Sequence, residues 1–277
     1  MRPSVVIILG MHNSGTSLLA RLAALLGLRL GEQVLTRADF AVAPAYDYWE
    51  HARITALQDE LLSVLDRHWS QPSSHWPIPP ALWDRPEVRR IEQALRDVVA
   101  VELAQAGGAP WGFKDPRTVR LMPLWRRILA RLDAETRYLI SLRDPATVTA
   151  SFASKGQVAP ADAEALWRRH YVEALAATQG QPRLVVDYDG WLERPEVQID
   201  ALAGFLGASA RGPQALEAVR AAIDPTLRTM RAQQFQLSPL TLQTAECLRA
   251  MVGGVEPAAR IDALLAAAGA ADRRPAA

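Results

Sequence analysis

The chain is poor in several things at once. Its 277 residues hold one cysteine, Cys247, so no internal disulfide can form and a reducing, cytoplasmic setting is the expectation. Five histidines (12, 51, 68, 75 and 170) show no i, i+4 pair and no cysteine neighbour, which argues against a zinc site. The net charge is only +1, so no broad basic field points to nucleic acid. No apolar run is long enough to span a bilayer. The early one, Val5 to Leu9, also lacks the charged lead and cleavage site of a signal peptide. Lysine is the scarcest cation: of 31 Lys and Arg residues, only Lys114 and Lys155 are lysines. In a chain that writes its cations as Arg, a compact ammonium marks a position where a guanidinium does not substitute.

What is present is a large apolar share, 49%, in short β-like runs alternating with helical periodicity. Residues 4–10, 111–115, 137–142 and 183–188 read as strands. Residues 15–28, 50–67, 86–105, 119–132, 161–179 and 194–206 read as helices, with another starting at Pro145. Ile54, Leu57, Leu61 and Leu65 share one helical face, as do Val88, Ile91, Leu95 and Val98. Continuous apolar strands alternating with helices predict an α/β fold of three layers, a central parallel sheet flanked by helices. No linker divides the chain, so one domain over 1–277 is expected, with a frayed Ala-rich tail at about 270–277. Residues 68–85 interrupt the pattern. Trp69, Trp76 and Trp83 recur there at intervals of seven, but Pro72, Pro77, Pro79 and Pro80 forbid a helix. The expectation is a loop packed by its own aromatics, or a lid. His170 falls in phase with Trp167, Tyr171 and Ala174 and reads as a packed helix residue.

The first strand runs into "GMHNSGTS", Gly10 to Ser17, and then into a helix. That is the layout of a phosphate loop of P-loop type: glycines curl the backbone, amides converge on an anion, and the helix points its positive end at it. A nucleotide triphosphatase would place lysine where Thr16 stands. A nucleotide-dependent kinase is therefore the weaker alternative. A second anion anchor is written in "YLISLRDPATVTAS": Arg143 ends a strand, where its planar fork can grip a phosphate, and Ser151 follows eight positions later on the next helix.

These segments together resemble the bacterial sulfotransferase-like members of the family that uses 3′-phosphoadenosine-5′-phosphosulfate (PAPS). Ser14-Gly15-Thr16-Ser17 is similar to the family's 5′-phosphosulfate loop, and Asn13 stands at the place of its basic residue. Arg143 and Ser151 match its 3′-phosphate pair, and the likeness implies that Tyr188, in "LVVDYDGWLERPEVQIDALAGFLG", lies near the adenine. "DPTLR" (224–228) looks like the close of bacterial members. The resemblance implies a sulfotransferase that moves a sulfuryl group from PAPS, leaving 3′,5′-ADP, to a hydroxyl or amine acceptor such as a carbohydrate or small natural product. It implies no metal and no nucleic-acid partner, and leaves the oligomeric state open. The block "WGFKDPRT" then places Lys114 beside the transferred group, with Arg117 open to a structural or a functional reading. Base candidates are Glu50 in "PAYDYWEH", then Asp115, then His51; His12 is a further donor toward the sulfuryl group. A nucleotide-binding protein weakened by Asn13 is the alternative from another class.

Overall fold

The computed structural model describes residues 2–39, 47–71, 75–154, 158–207, 212–224 and 236–272. Lys155, Pro72, Pro44 to Tyr46 and most of the "DPTLR" segment lie outside them.

Four strands form one sheet in the order β2-β1-β3-β4: β1 (Ser4–Leu9), β2 (Trp111–Lys114), β3 (Glu135–Leu142) and β4 (Arg183–Asp187). All pairings are parallel. Ile8 lies opposite Lys114, Leu9 opposite Ile140, and Leu142 opposite Asp187, so four carboxyl ends meet along one edge. β1 is central, and the chain crosses to β2 on one side and to β3 on the other. That reversal is where open α/β sheets bind ligands.

The helices are α1 (Thr16–Leu25), α2 (Ala52–Val64), α3 (Pro86–Ala106), α4 (Met122–Arg131), α5 (Pro145–Ala153), α6 (Pro160–Ala177), α7 (Tyr188–Glu193), α8 (Pro195–Phe205), α9 (Pro213–Ala221), α10 (Pro239–Met251) and α11 (Ala258–Asp272). Proline opens α3, α5, α6, α8, α9 and α10, where a missing N–H costs nothing and φ is already set. Alternation along β1 feeds two cores. Val5, Ile7 and Leu9 pack with α2, α3, α4 and α6, while Val6 and Ile8 pack with α1 and α8. This is the expected three-layer α/β arrangement.

The differences from the sequence expectation are local. The strand expected through Asp115 stops at Lys114 because Asp115 turns away to cap a 3-10 helix, Pro116–Leu121. The strand expected through Tyr188 stops at Asp187, and Tyr188 opens α7. Of the Ala-rich tail, α11 includes residues through Asp272, and 273–277 lie outside the described residues. In the Pro- and Trp-rich segment, Trp69, Ile78, Leu82 and Trp83 pack on the core, whereas Trp76 is 54% exposed.

Candidate active site

The loop after β1 is held in shape by its own geometry and by the strand beside it. Gly15 adopts the left-handed region at φ 84°, and a Cβ there would sit 2.2 Å from a ring carbon of Tyr188. Only glycine meets both conditions. Asn13, at φ 65°, is a residue type that tolerates this region. Ser141 on β3 donates to the Ser14 carbonyl (2.7 Å), and the Tyr171 hydroxyl donates to the Ser141 carbonyl (2.6 Å). Helix α1 then begins with no side-chain cap and no acidic residue in its first turn. Its leading amides are thus left for an anion, with Thr16 and Ser17 contributing hydroxyls. Ser17 Oγ also donates to the Tyr48 carbonyl at 3.2 Å, which ties the loop to the segment ahead of α2.

Arg143 leaves the end of β3 and leans back over this loop. Its Nη1 donates to the Asn13 carbonyl at 3.0 Å, and its guanidinium lies 4.3 Å from the Tyr188 ring centroid. Tyr188 therefore braces Gly15 and Arg143 together. Ser151 sits half-buried on α5, a helix capped by Asp144, which accepts from the Thr147 amide at 2.9 Å. Ser151 is joined through its carbonyl to Ser154 Oγ (3.0 Å) and makes no hydrogen bond with Arg143.

A second cluster lies on the other side of β1. Lys114, 1% exposed, donates from Nζ to Glu50 Oε1 at 2.7 Å. Arg117 reaches Glu50 Oε2 (3.4 Å), Asp115 Oδ1 (2.9 Å) and Asp59 Oδ1 (2.6 Å). Burial pushes the Glu50 carboxyl up from its ordinary value. Asp115 adds to the rise, and Lys114 and Arg117 oppose it. Asp115 is fully occupied: Oδ1 accepts from the Arg117 amide and guanidinium, and Oδ2 from Gln58 Nε2 at 2.7 Å. Gln58 in turn accepts from Thr118 and Trp125. Sequence reasoning missed Gln58, although a polar residue four positions after Ile54, on a buried helix face, was a visible signal.

A model of the sulfotransferase family matches residues 3–211, through the loop, the Lys114 block, Arg143 and Tyr188. The chain belongs to the sulfotransferase family. The sulfotransferase domain from the curacin biosynthetic pathway aligns at 18% identity with a TM-score of 0.53, covering 89% of this chain and 98% of that one. The sulfotransferase domain from the Synechococcus PCC 7002 olefin synthase aligns at 18% identity and a TM-score of 0.49, covering 97% and 95%. Sulfotransferase STF1 from Mycobacterium tuberculosis H37Rv aligns at 15% and 0.49, covering 89% and 76%. At these identities the likeness is one of fold. No curated protein matches the chain in sequence.

In this sulfotransferase the histidines separate by role. His51 caps α2, accepting from the Ile54 amide (3.4 Å), and its Nε2 meets Glu102 Oε1 at 2.9 Å. His170 is buried against the Leu166 carbonyl (2.8 Å), and burial lowers its pKa to about 3, which makes it a neutral packing residue. The His12 ring stacks on Trp69 with centroids 4.8 Å apart. Among the described residues no three His, Cys, Asp or Glu side chains gather as a metal site, and no helix is long and apolar enough to cross a membrane.

Proposed function

We propose that this transferase takes its sulfuryl group from PAPS and delivers it to a hydroxyl or amine acceptor. The observation that carries the reading is the joining of two anion-ready elements at the carboxyl edge of the sheet: an uncapped loop, Asn13 to Ser17, and Arg143, linked through the Asn13 carbonyl and Tyr188. The fit is chemical. Amides, hydroxyls and a guanidinium suit a nucleotide with phosphates at both ends, and Gly15 keeps the backbone bare where a Cβ would collide.

When bound, PAPS supplies a sulfuryl group already activated on a phosphate leaving group. Ser14, Gly15, Thr16 and Ser17 hold its 5′ end. Arg143 and Ser151 hold the 3′-phosphate, and Tyr188, stacked against Arg143, lies near the adenine. Glu50, with its raised proton affinity, takes the proton from the acceptor as the new O–S or N–S bond forms and the bond from sulfur to the nucleotide oxygen breaks. Lys114 keeps Glu50 oriented and brings positive charge to the edge where the loop starts, in partial replacement of the cation missing at Asn13. His12 borders the acceptor side of the loop. Asp115 fixes Arg117 and the backbone after β2.

The test is a thermal-shift comparison followed by a transfer assay. Stabilisation by 3′,5′-ADP is expected to exceed that by Mg·ATP, since a ligand that binds only the folded state raises its melting temperature. The reverse ranking returns the chain to the kinase reading. Binding of 3′,5′-ADP with no PAPS consumed across a broad acceptor panel would assign it instead to nucleotide binding alone.

A further inference from the structure

The four successive residues Tyr48 to His51 are tied to four different parts of the fold. The Tyr48 carbonyl accepts from Ser17 Oγ in the first turn of α1 (3.2 Å). The Trp49 amide donates to Leu35 (3.2 Å). The Glu50 carboxylate meets Lys114 on β2 (2.7 Å), and His51 Nε2 meets Glu102 on α3 (2.9 Å). The pairing with Leu35 is irregular. Residues 33–35 run antiparallel to 49–52, with Val34 opposite His51 and the Ala52 amide donating to the Gln33 carbonyl (2.7 Å). At Leu35 this short ladder gains a residue. The Leu35 carbonyl accepts from Trp49, while the Leu35 amide donates to the Glu50 carbonyl (2.7 Å). Two residues thus face one, and the first of them, Trp49, has φ 57°. That is the pattern of a β-bulge whose first position is left-handed and ordinarily glycine.

Tryptophan is an unexpected occupant. Among the described residues, the other non-glycines with positive φ are Asn13, Asp66 and Asp133, types that tolerate it. A bulky side chain there carries a backbone cost and persists only where its surroundings hold it. Trp49 is so held, because it packs on the core that β1 shares with α1, as Val34 does. Strain of this kind gathers at functional sites, and a bulge bends its strand and re-aims the side chain beside the extra residue. The side chain beside Trp49 is that of Glu50. It lies ahead of the His51 cap of α2, so helical geometry does not fix it. Resting on the reading of Glu50 as the base, we infer that Trp49 is a positioning residue: its left-handed backbone makes the bulge opposite Leu35 that aims the Glu50 carboxylate at Lys114. The charged and titratable groups around that carboxylate are Lys114 on β2, Asp115 and Arg117 at the 3-10 helix, and Tyr48. The two demands at position 49 are separable. Packing asks for a large apolar side chain, and the bulge asks for a residue that accepts positive φ.

The experiment uses the full chain with Trp49 replaced by Phe, Ile, Asn or Gly. Amide hydrogen exchange at Leu35 reads the bulge. Carbon-13 NMR of the carboxyl groups across pH reads Glu50, whose signal is the one missing from Glu50→Gln. A packing role ranks Phe and Ile above Asn and Gly. The bulge ranks Gly and Asn above Ile, since a β-branched residue holds positive φ least well. Trp49→Phe is expected to match the wild type. Trp49→Ile is expected to speed Leu35 exchange roughly tenfold, the scale of such backbone strain, and to return Glu50 to the ordinary carboxylate range. Trp49→Gly and Trp49→Asn are expected to melt at lower temperature for want of the indole. Both nonetheless keep Glu50 raised and Leu35 exchange within about threefold, because local opening is distinct from global unfolding. Equal loss in the Gly, Asn and Ile variants assigns Trp49 to packing and overturns the inference, as do unchanged exchange and titration in all four. If the variants rank as expected while Glu50→Gln consumes PAPS at the wild-type rate across an acceptor panel, the base reading fails and the bulge stands.

Discussion

The two sides of β1 handle positive charge in opposite ways. On the β3 side, Arg143 leans on a carbonyl and an aromatic face, and the loop beside it presents amides and hydroxyls. On the β2 side, Lys114 and Arg117 are locked among Glu50, Asp115 and Asp59. The first arrangement sets a guanidinium against a backbone carbonyl and a ring beside the loop. The second packs two cations among three carboxylates, where they hold Glu50 and oppose the rise that burial gives its pKa. A cation on a carbonyl and a cation among carboxylates can be told apart by what they touch.

That contrast is open to breaking, most strongly at Lys114. Lys114→Ala leaves Glu50 buried with only the longer Arg117 contact, and losing one partner of a buried pair costs about 3–5 kcal/mol of stability. Urea unfolding is expected to show that loss, and single-turnover assays a fall in rate of about 10²–10³. Lys114→Ala with Glu50→Gln is expected to regain most of the stability and none of the rate. Unchanged stability in the single variant would erase the distinction between the two sides.

Arg143→Ala is expected to do the converse. Affinity for 3′,5′-ADP falls about 10–100-fold, the worth of charged hydrogen bonds to phosphate, while the ligand-free melting temperature moves little. Calorimetry and a ligand-free melt decide it. Gly15→Ala comes next: forcing an L side chain into the left-handed region costs roughly 1–2 kcal/mol, and the collision with Tyr188 adds to that. Gly15→Ala with Tyr188→Ala removes the collision and keeps the backbone cost, so thermal melts of both variants separate the two parts.

The pH profile sharpens the tuning side. Burial raises the Glu50 pKa, and a base must be deprotonated to act. Activity is therefore expected to rise with pH through a limb lying above the ordinary carboxylate range, and Glu50→Gln to abolish that limb together with most of the rate. The smallest effect is expected at Ser151. Ser151→Ala removes the hydroxyl proposed to donate to the 3′-phosphate, a charge-assisted hydrogen bond worth about 1.5 kcal/mol, read as a rise of about tenfold in the Kd for 3′,5′-ADP.

Much of this was legible in the chain itself. Strand, loop and helix around Gly10 to Ser17 follow from β-branched residues, glycine placement and an apolar helical run. Arg143 stands at a strand end because the apolar run before it stops there. The bounds were off by a residue or two where a side chain took the backbone elsewhere, as Asp115 does in capping the 3-10 helix and Tyr188 in opening α7. The Trp spacing of seven carried no such information. Trp69 and Trp83 pack on the core while Trp76 faces solvent, because the intervening prolines remove any regular rotation along the segment. Arg117 was open to either reading, and its three carboxylate partners come from α2, its own turn and the segment before α2.

By itself, then, the sequence determined the alternation of parallel strands and helices, the strand–loop–helix around Gly10 to Ser17 and the place of Arg143 just past a strand end. Those depend on local periodicity and turn chemistry, which act over a few residues. Only the tertiary structure decided that Lys114 is committed to Glu50, that Tyr188 braces both Gly15 and Arg143, and that His12 stacks on Trp69. Lys114 meets Glu50 across 64 residues of chain, and Arg143 meets Asn13 across 130. Such partners are chosen by which strands lie side by side, and strand order depends on burying both faces of the sheet at once.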